Sequence, residues 1–354
     1  MGNALHSSLA VPPRPSRSSP AVAALATPAL ASPWGEPMHF MPETSRLPGE
    51  LPEELNRQEL FSRICVRDPY YALSEVRAVG EGELTARVPV EQETGGEASP
   101  INAAEVGRHL AILGSCASAL VNPKEGQHYY LARRARLERL HASPLPRATE
   151  LLVGTAKAEF RDKRTATAQT RLLDARGQAL FSLEVDYNVL SAAAFLRLFQ
   201  GARQEMRREP RAERGPRCTS GDFAAMRTNP HRQPPPLHGY VRDGECLKAT
   251  LGPVSAELCK GHFALHPVLP VAVVMSGLSG LAGSLLRELV GNPAVRYLVK
   301  QGEVRADSLA YAGESVTFGS HLHGVEGRDY RFYCWASVGE RLVGVMELTL
   351  TCLE

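Results

Sequence analysis

The sequence has no Cys-x-x-Cys pair. Its seven cysteines (Cys65, Cys116, Cys218, Cys246, Cys259, Cys334 and Cys352) are odd in number and scattered. That excludes both a disulfide framework and a thiolate zinc site, and they read as small apolar core residues in a reducing cytoplasm. Net charge is also scarce: 40 Lys and Arg against 38 Asp and Glu leave +2, too little for a polyanion-binding surface, so no nucleic-acid partner is expected. There is no phosphate loop, no Gly-x-Ser-x-Gly elbow and no metal-ligand cluster, so no cofactor or metal is implied. Long apolar runs are limited to residues 268–286, which carry no charge and approach the length of a membrane-spanning helix. Pro270, Ser276, Ser279, Ser284, Gly277, Gly280 and Gly283 interrupt that run, which therefore reads as a buried core helix and not as a span.

What is present is the composition of a soluble globular protein, 44% apolar and 22% charged over 354 residues, enough for two ordinary domains. Residues 1–50 are rich in Ala, Pro and Ser without a sustained period and read as disordered. A secretion signal competes there, because 21–31 is apolar and ends in small residues, although Pro20 and Pro28 break it. Residues 51–194 predict a short helix over 53–65 and a strand pair over 74–90 turning at Gly80-Glu81-Gly82. After a polar loop comes a long helix opened by Asn102, with Glu105 completing a capping box. Strands follow at 129–140, 150–160, 165–174 and 178–190. Residues 195–228 form an Arg- and Pro-rich linker, read either as a basic face for an acidic partner or as a solvated connection. Residues 229–354 repeat the order: strands within 239–251 and 254–258, an apolar helix over 271–290, then strands at 295–305, 315–323, 330–336 and 341–351.

Asn229-Pro230-His231-Arg232 is followed by Lys260-Gly261-His262-Phe263-Ala264-Leu265-His266-Pro267-Val268-Leu269-Pro270 ahead of the second helix. This resembles the 3-hydroxyacyl-thioester dehydratases of bacterial fatty-acid and polyketide synthesis. These carry Pro-His-Arg near the start of the domain and Gly-His-Phe-Pro-Gly-x-Pro-Val-x-Pro-Gly before their central helix. The likeness covers 229–354, and the first half shares only the element order. It implies an α+β chain of two tandem hot-dog domains, each a long helix wrapped by a curved antiparallel sheet, joined edge to edge as a pseudo-dimer. The implied substrate is an acyl thioester on acyl carrier protein or coenzyme A, and two such chains could pair further as a homodimer.

The resemblance implies that His262 is the base that removes the α-proton of a 3-hydroxyacyl thioester. Gly261, Phe263, Pro270, Val271, Ser276 and Cys116 would flank the substrate, with the helix N-terminus after Pro270 facing the thioester carbonyl. The plain alternative for His262 is packing, with a hydrogen bond to a backbone carbonyl. The sequence departs from the pattern in three places. Ser276 stands where the family has its second catalytic carboxylate, Val271 where it has Gly, and Ala264-Leu265 where it has Pro-Gly. In the family's dimers that acid comes from the partner subunit, so here the first-half helix would supply it. Glu105 and His109 are the candidates, on one face with Cys116, although Glu105 is also explained as a cap. Dehydration is the leading expected reaction. Cyclisation with aromatisation, thioester hydrolysis and non-catalytic acyl binding are the alternatives.

Overall fold

Asn56 lies in extended backbone and its side chain accepts from the amides of Gln58 and Glu59, which starts the short helix α1 at Arg57–Arg63. Asn102 does the same for Ala104 and opens α2, Ala103–Leu120. A second long helix, labelled α3, is Val271–Val290 and stops at Gly291, whose φ of 71° supplies the left-handed C-terminal cap. The computed structural model describes residues 52–148, 151–198, 229–263 and 266–353. The predicted disordered or signal segment 1–50, most of the Arg-rich linker, and the Ala264-Leu265 departure lie outside them.

Twelve strands are described. In the first half they are β1 Ser74–Gly80, β2 Glu83–Val88, β3 His128–Arg139, β4 Leu152–Phe160, β5 Thr165–Leu173 and β6 Ala179–Ser191. In the second they are β7 His238–Asp243, β8 Cys246–Leu251, β9 Tyr297–Ala306, β10 Val316–Glu326, β11 Asp329–Val338 and β12 Arg341–Cys352. They form one antiparallel sheet in the order β1-β2-β4-β5-β6-β3-β9-β12-β11-β10-β8-β7. Matching β1 with β7, β2 with β8 and so on makes the order read alike from either edge. The centre is the β3–β9 seam, where Arg134 pairs with Arg305 and Leu137 with Gly302. Each half of the strand order therefore carries one long helix, α2 against β2, β4, β5 and β6 and α3 against β8, β10, β11 and β12, which fits a hot-dog fold.

The core explains the two helices. Leu110 and Leu113 of α2 and Leu278, Leu281, Leu285 and Leu286 of α3 are all at most 1% exposed. Each such side chain contributes about 1.5–3 kcal/mol when fully removed from water. By length and composition α3 could cross a membrane, but here it is packed against α2, β8, β10, β11 and β12. Two details depart from the sequence reading. Residues 254–258 are not a strand: Val254 makes isolated backbone bonds with Glu314 and Gly313, and a 3-10 turn follows at Glu257–Cys259. Phe195, assigned to the linker, is wholly buried and stacks on Tyr129 at 3.8 Å.

Candidate active site

The helices α2 and α3 leave a crevice between them over the β3–β9 seam, a cavity of about 160 Å³. Its α2 wall is Ala103, Ala104, Gly107 and Ala111, and its α3 wall Val271, Ala272, Met275 and Ser279. Tyr70, His262 and Phe263 close it on one side. A wider cleft of about 870 Å³ adjoins it, the two sharing Leu131, Ala132, Ala306, Ser308 and Leu309, and carries the charged residues Arg133, Asp307, Glu314 and Arg341.

The loop bearing His262 is held by the first half of the chain. The Arg67 amide donates to the Gly261 carbonyl at 2.7 Å and the Phe263 amide to the Cys65 carbonyl at 3.3 Å. Gly261 has φ 81°, and a Cβ there would collide with the Arg67 carbonyl and the backbone at Pro69 and Tyr70, so glycine is required. Phe263 also sits at positive φ, 55°, an unusual state for a bulky residue that the loop's contacts enforce. The His262 ring stacks on Phe263 at 3.9 Å and lies T-shaped to Tyr70 at 5.2 Å. Its Nδ1 lies 3.3 Å from the Val268 carbonyl, a partner that accepts only from a protonated Nδ1, so the other nitrogen, Nε2, is left bare. Burial pushes its pKa down to about 4, the Val268 contact opposing this and nearby His231 adding to it. No carboxylate is among the groups that shift it.

Among the described residues no hydrogen bond or ion pair joins Glu105 or His109 to His262, and neither lines the crevice. The capping box does not form either: the Glu105 carboxylate turns back to accept from the amides of Glu91 at 2.6 Å and Gln92 at 3.2 Å. Around it lies a buried polar cluster. Arg108 pairs with Glu91 and lies 3.1 Å from His109 Nε2, which is itself 3.4 Å from Glu105. Burial and Arg108 push the His109 pKa down. Glu91, Glu105 and His109 are close enough to share a cation, but the Arg108 guanidinium already supplies that charge. The cluster ties the halves together: Gln92 and Arg108 donate to the His231 carbonyl, and Asn229 donates to Glu91 at 3.0 Å. His231 reaches the Lys260 carbonyl at 2.9 Å. Of the remaining candidates, Phe263 and Val271 line the crevice. Gly261 and Pro270 shape the loop and helix start beside it, while Ser276 and Cys116 are buried and outside its lining.

The two helix starts differ. Pro270 gives α3 no side-chain cap, leaving the first amides, of Val271 and Ala272, without an intrahelical acceptor beside His262. At α2 the Glu97 carboxylate accepts from the Ala103 amide at 3.1 and 3.2 Å, with Arg139 3.6 Å away. Glu97 is 1% exposed, and burial pushes its pKa up to about 7. Sequence reasoning missed Glu97 and Tyr70. The signal for Tyr70 was positional, since Pro69-Tyr70-Tyr71 precedes β1 as Pro230-His231-Arg232 precedes β7.

No protein-family model matches this chain, and no curated protein matches it in sequence. Solved structures are similar at low identity. One is a provisionally named oleoyl thioesterase from Lactobacillus plantarum, 12% identical over 78% of this chain and 100% of that one, TM-score 0.49. Another is an acyl-CoA thioesterase II from Mycobacterium marinum, 11% identical over 78% and 95%, TM-score 0.46. A third is a hot-dog-fold protein of unknown function from Alicyclobacillus acidocaldarius, 11% identical over 80% and 96%, TM-score 0.43. With overlaps this distant, the fold assignment rests on the mirrored sheet order and the two helices laid on it.

Proposed function

We propose that this protein is an enzyme acting on acyl thioesters of coenzyme A or acyl carrier protein, and that its reaction is thioester hydrolysis. The observation that carries this is the pairing of the bare Nε2 of His262 with the uncapped start of α3 at one side of an apolar crevice. Hydrolysis needs one base and a site for an oxyanion. His262 takes a proton from water, the hydroxide adds to the thioester carbon, and the amides of Val271 and Ala272 hold the oxygen as it becomes negative. The intermediate then collapses, and the departing thiolate takes the proton back from the imidazolium. Water is consumed, and a carboxylic acid and a thiol leave. The acyl group lies in the crevice and the polar carrier arm in the adjoining cleft.

Dehydration, the reaction that the family resemblance implies, needs in addition a group that protonates the leaving hydroxyl. Among the described residues no carboxylate lines the crevice. The second reading keeps its interest through one group, the Tyr70 phenol. The test is incubation with hexanoyl- and 3-hydroxyhexanoyl-pantetheine, followed by mass spectrometry and thiol release. Free acid and thiol are expected. Loss of water with the thioester intact would replace hydrolysis by dehydration, and no turnover of either would leave a binding protein. Substituting His262→Ala should remove turnover, and an unchanged rate would overturn the site.

A further inference from the structure

Apart from the bare Nε2 of His262, the side-chain polar groups lining the crevice have a hydrogen-bond partner, with two exceptions among the described residues. Tyr187 donates to the Ala111 carbonyl at 2.6 Å, and Tyr130 accepts from Asn122 at 3.0 Å. Ser115 and Ser308 donate to the carbonyls of Ile112 and Leu342, each at 2.7 Å. The exceptions are Ser279 and Tyr70, whose hydroxyls have no hydrogen-bond partner among the described residues. A helical serine has an outlet, because it can rotate onto the carbonyl one turn back. A phenol on a loop has none.

Tyr70 is nevertheless fixed in place. It is 5% exposed, follows Pro69, and sits beside the Gly261 carbonyl that the Arg67 amide holds. Its ring lies T-shaped to those of His231 at 5.0 Å and His262 at 5.2 Å, with the Arg108 guanidinium 5.9 Å from its centre. Tyr70 lines the crevice and, unlike the enclosed Tyr71 hydroxyl, its own hydroxyl is not shut off from solvent. An acyl group that displaces that solvent without offering an acceptor leaves the donor unpaired at a cost of about 1–3 kcal/mol, so a rigid donor there calls for an acceptor on what binds. Burial also pushes the phenol's pKa upward, so it stays protonated and donates. The α2 wall opposite leaves room: a Cβ at Gly107 would touch nothing within 4 Å.

Resting on the acyl-thioester reading above, we infer that Tyr70 selects the substrate, donating a hydrogen bond to an oxygen carried on the acyl group within the crevice. The substrate class is then an oxygen-substituted acyl thioester and not a plain alkanoyl one. A site built to hydrogen-bond an oxygen leaves its own donor unpaired with the analogue that lacks it, which is why such sites discriminate strongly. His262 supplies the chemistry and Tyr70 the choice of substrate.

The test uses the full chain, the variant Tyr70→Phe, and hexanoyl-, 3-oxohexanoyl- and 5-oxohexanoyl-pantetheine. The ring is kept and only the oxygen is removed, so the stacked surroundings survive, which a thermal melt checks. The wild type should favour one oxo substrate over hexanoyl by at least about tenfold in kcat/KM, and Y70F should bring the pair within about twofold, mostly through KM. A wild type without preference, or a Y70F that retains it, overturns the inference. The same acyl groups as non-hydrolysable pantetheine amides, titrated calorimetrically, separate this from the catalytic reading. If nothing is hydrolysed but the oxo amide binds at least about tenfold tighter than the hexanoyl amide in the wild type and equally in Y70F, the hydrolase reading falls and Tyr70 stands. Equal binding in the wild type removes the Tyr70 assignment.

Discussion

An imidazole kept neutral by its surroundings loses activity to acid much later than one in water. With the His262 pKa near 4 and an ordinary value of 6.5, the base is unprotonated throughout the neutral range. kcat/KM should therefore be flat from pH 8 to about pH 5.5 and fall only as the pH drops through about 4. A limb near 6.5 would mean that the catalytic group is not this buried imidazole. Glu105 calls for the opposite kind of experiment, because its carboxylate is taken up by the amides of Glu91 and Gln92. Glu105→Ala strands two amides and part of the Arg108 charge in a dry place. The expected cost is about 3 kcal/mol, or roughly 4–5 °C in Tm. Turnover per folded molecule should stay within about twofold, because Glu105 lies outside the crevice. A selective loss of turnover with an unchanged melt would return it to the site.

At the scale of elements, the two long helices have the same place in the chain order but different N-termini. Glu97 seals α2, whereas α3 is left open beside His262. In the fold the Glu97 carboxyl keeps its proton up to about pH 7, against 4.5 ordinarily. The folded state thus binds more protons than the unfolded one between those values, and the stability this gives is full below 4.5 and lost as pH rises through 7. Glu97→Gln, which cannot ionise, should lower Tm less at pH 8 than at pH 5 relative to wild type. Equal differences at both would show that the carboxyl does not titrate there. On the α2 face, Gly107→Ala should raise stability by about 0.5–1 kcal/mol, since a glycine inside a helix costs that much and its Cβ would meet nothing. Gly107→Phe should instead fill the crevice and raise KM for hexanoyl-pantetheine by about tenfold. An unchanged KM would take the acyl group out of this crevice. The sequence made the elements legible because their signals are local: Asn102 caps its helix whatever lies around it. The capping-box spacing at Glu105 was misleading for the same reason. A carboxylate at that position can reach back to the cap amide or to the loop before it, and only the course of that loop decides. Tyr70 carried no local signal of its own, because the rings that surround it, His231 and His262, lie in the other half.

At the scale of the molecule, the halves share more than a seam. The His262 loop hangs on Cys65 and Arg67, the His231 carbonyl on Gln92 and Arg108, and Tyr297 exchanges backbone bonds with Gly96 and Ala98. Residues 229–354 alone would expose the long edge of β9, which β3 covers in the whole chain, together with the apolar wall of α3. An uncovered edge of that length seeks another strand. Expressed separately, that half should therefore be found by light scattering as a dimer, joined β9 to β9, or as an aggregate. Addition of residues 52–198 should convert it into a one-to-one complex. The imidazole reports the difference directly. In the whole chain His262 should titrate near pH 4 by nitrogen NMR, and in the isolated half, without Tyr70 and the first-half backbone around it, near its ordinary value. A second half that is monomeric, unfolds cooperatively and still titrates near 4 would mean that the first half is dispensable for the His262 environment.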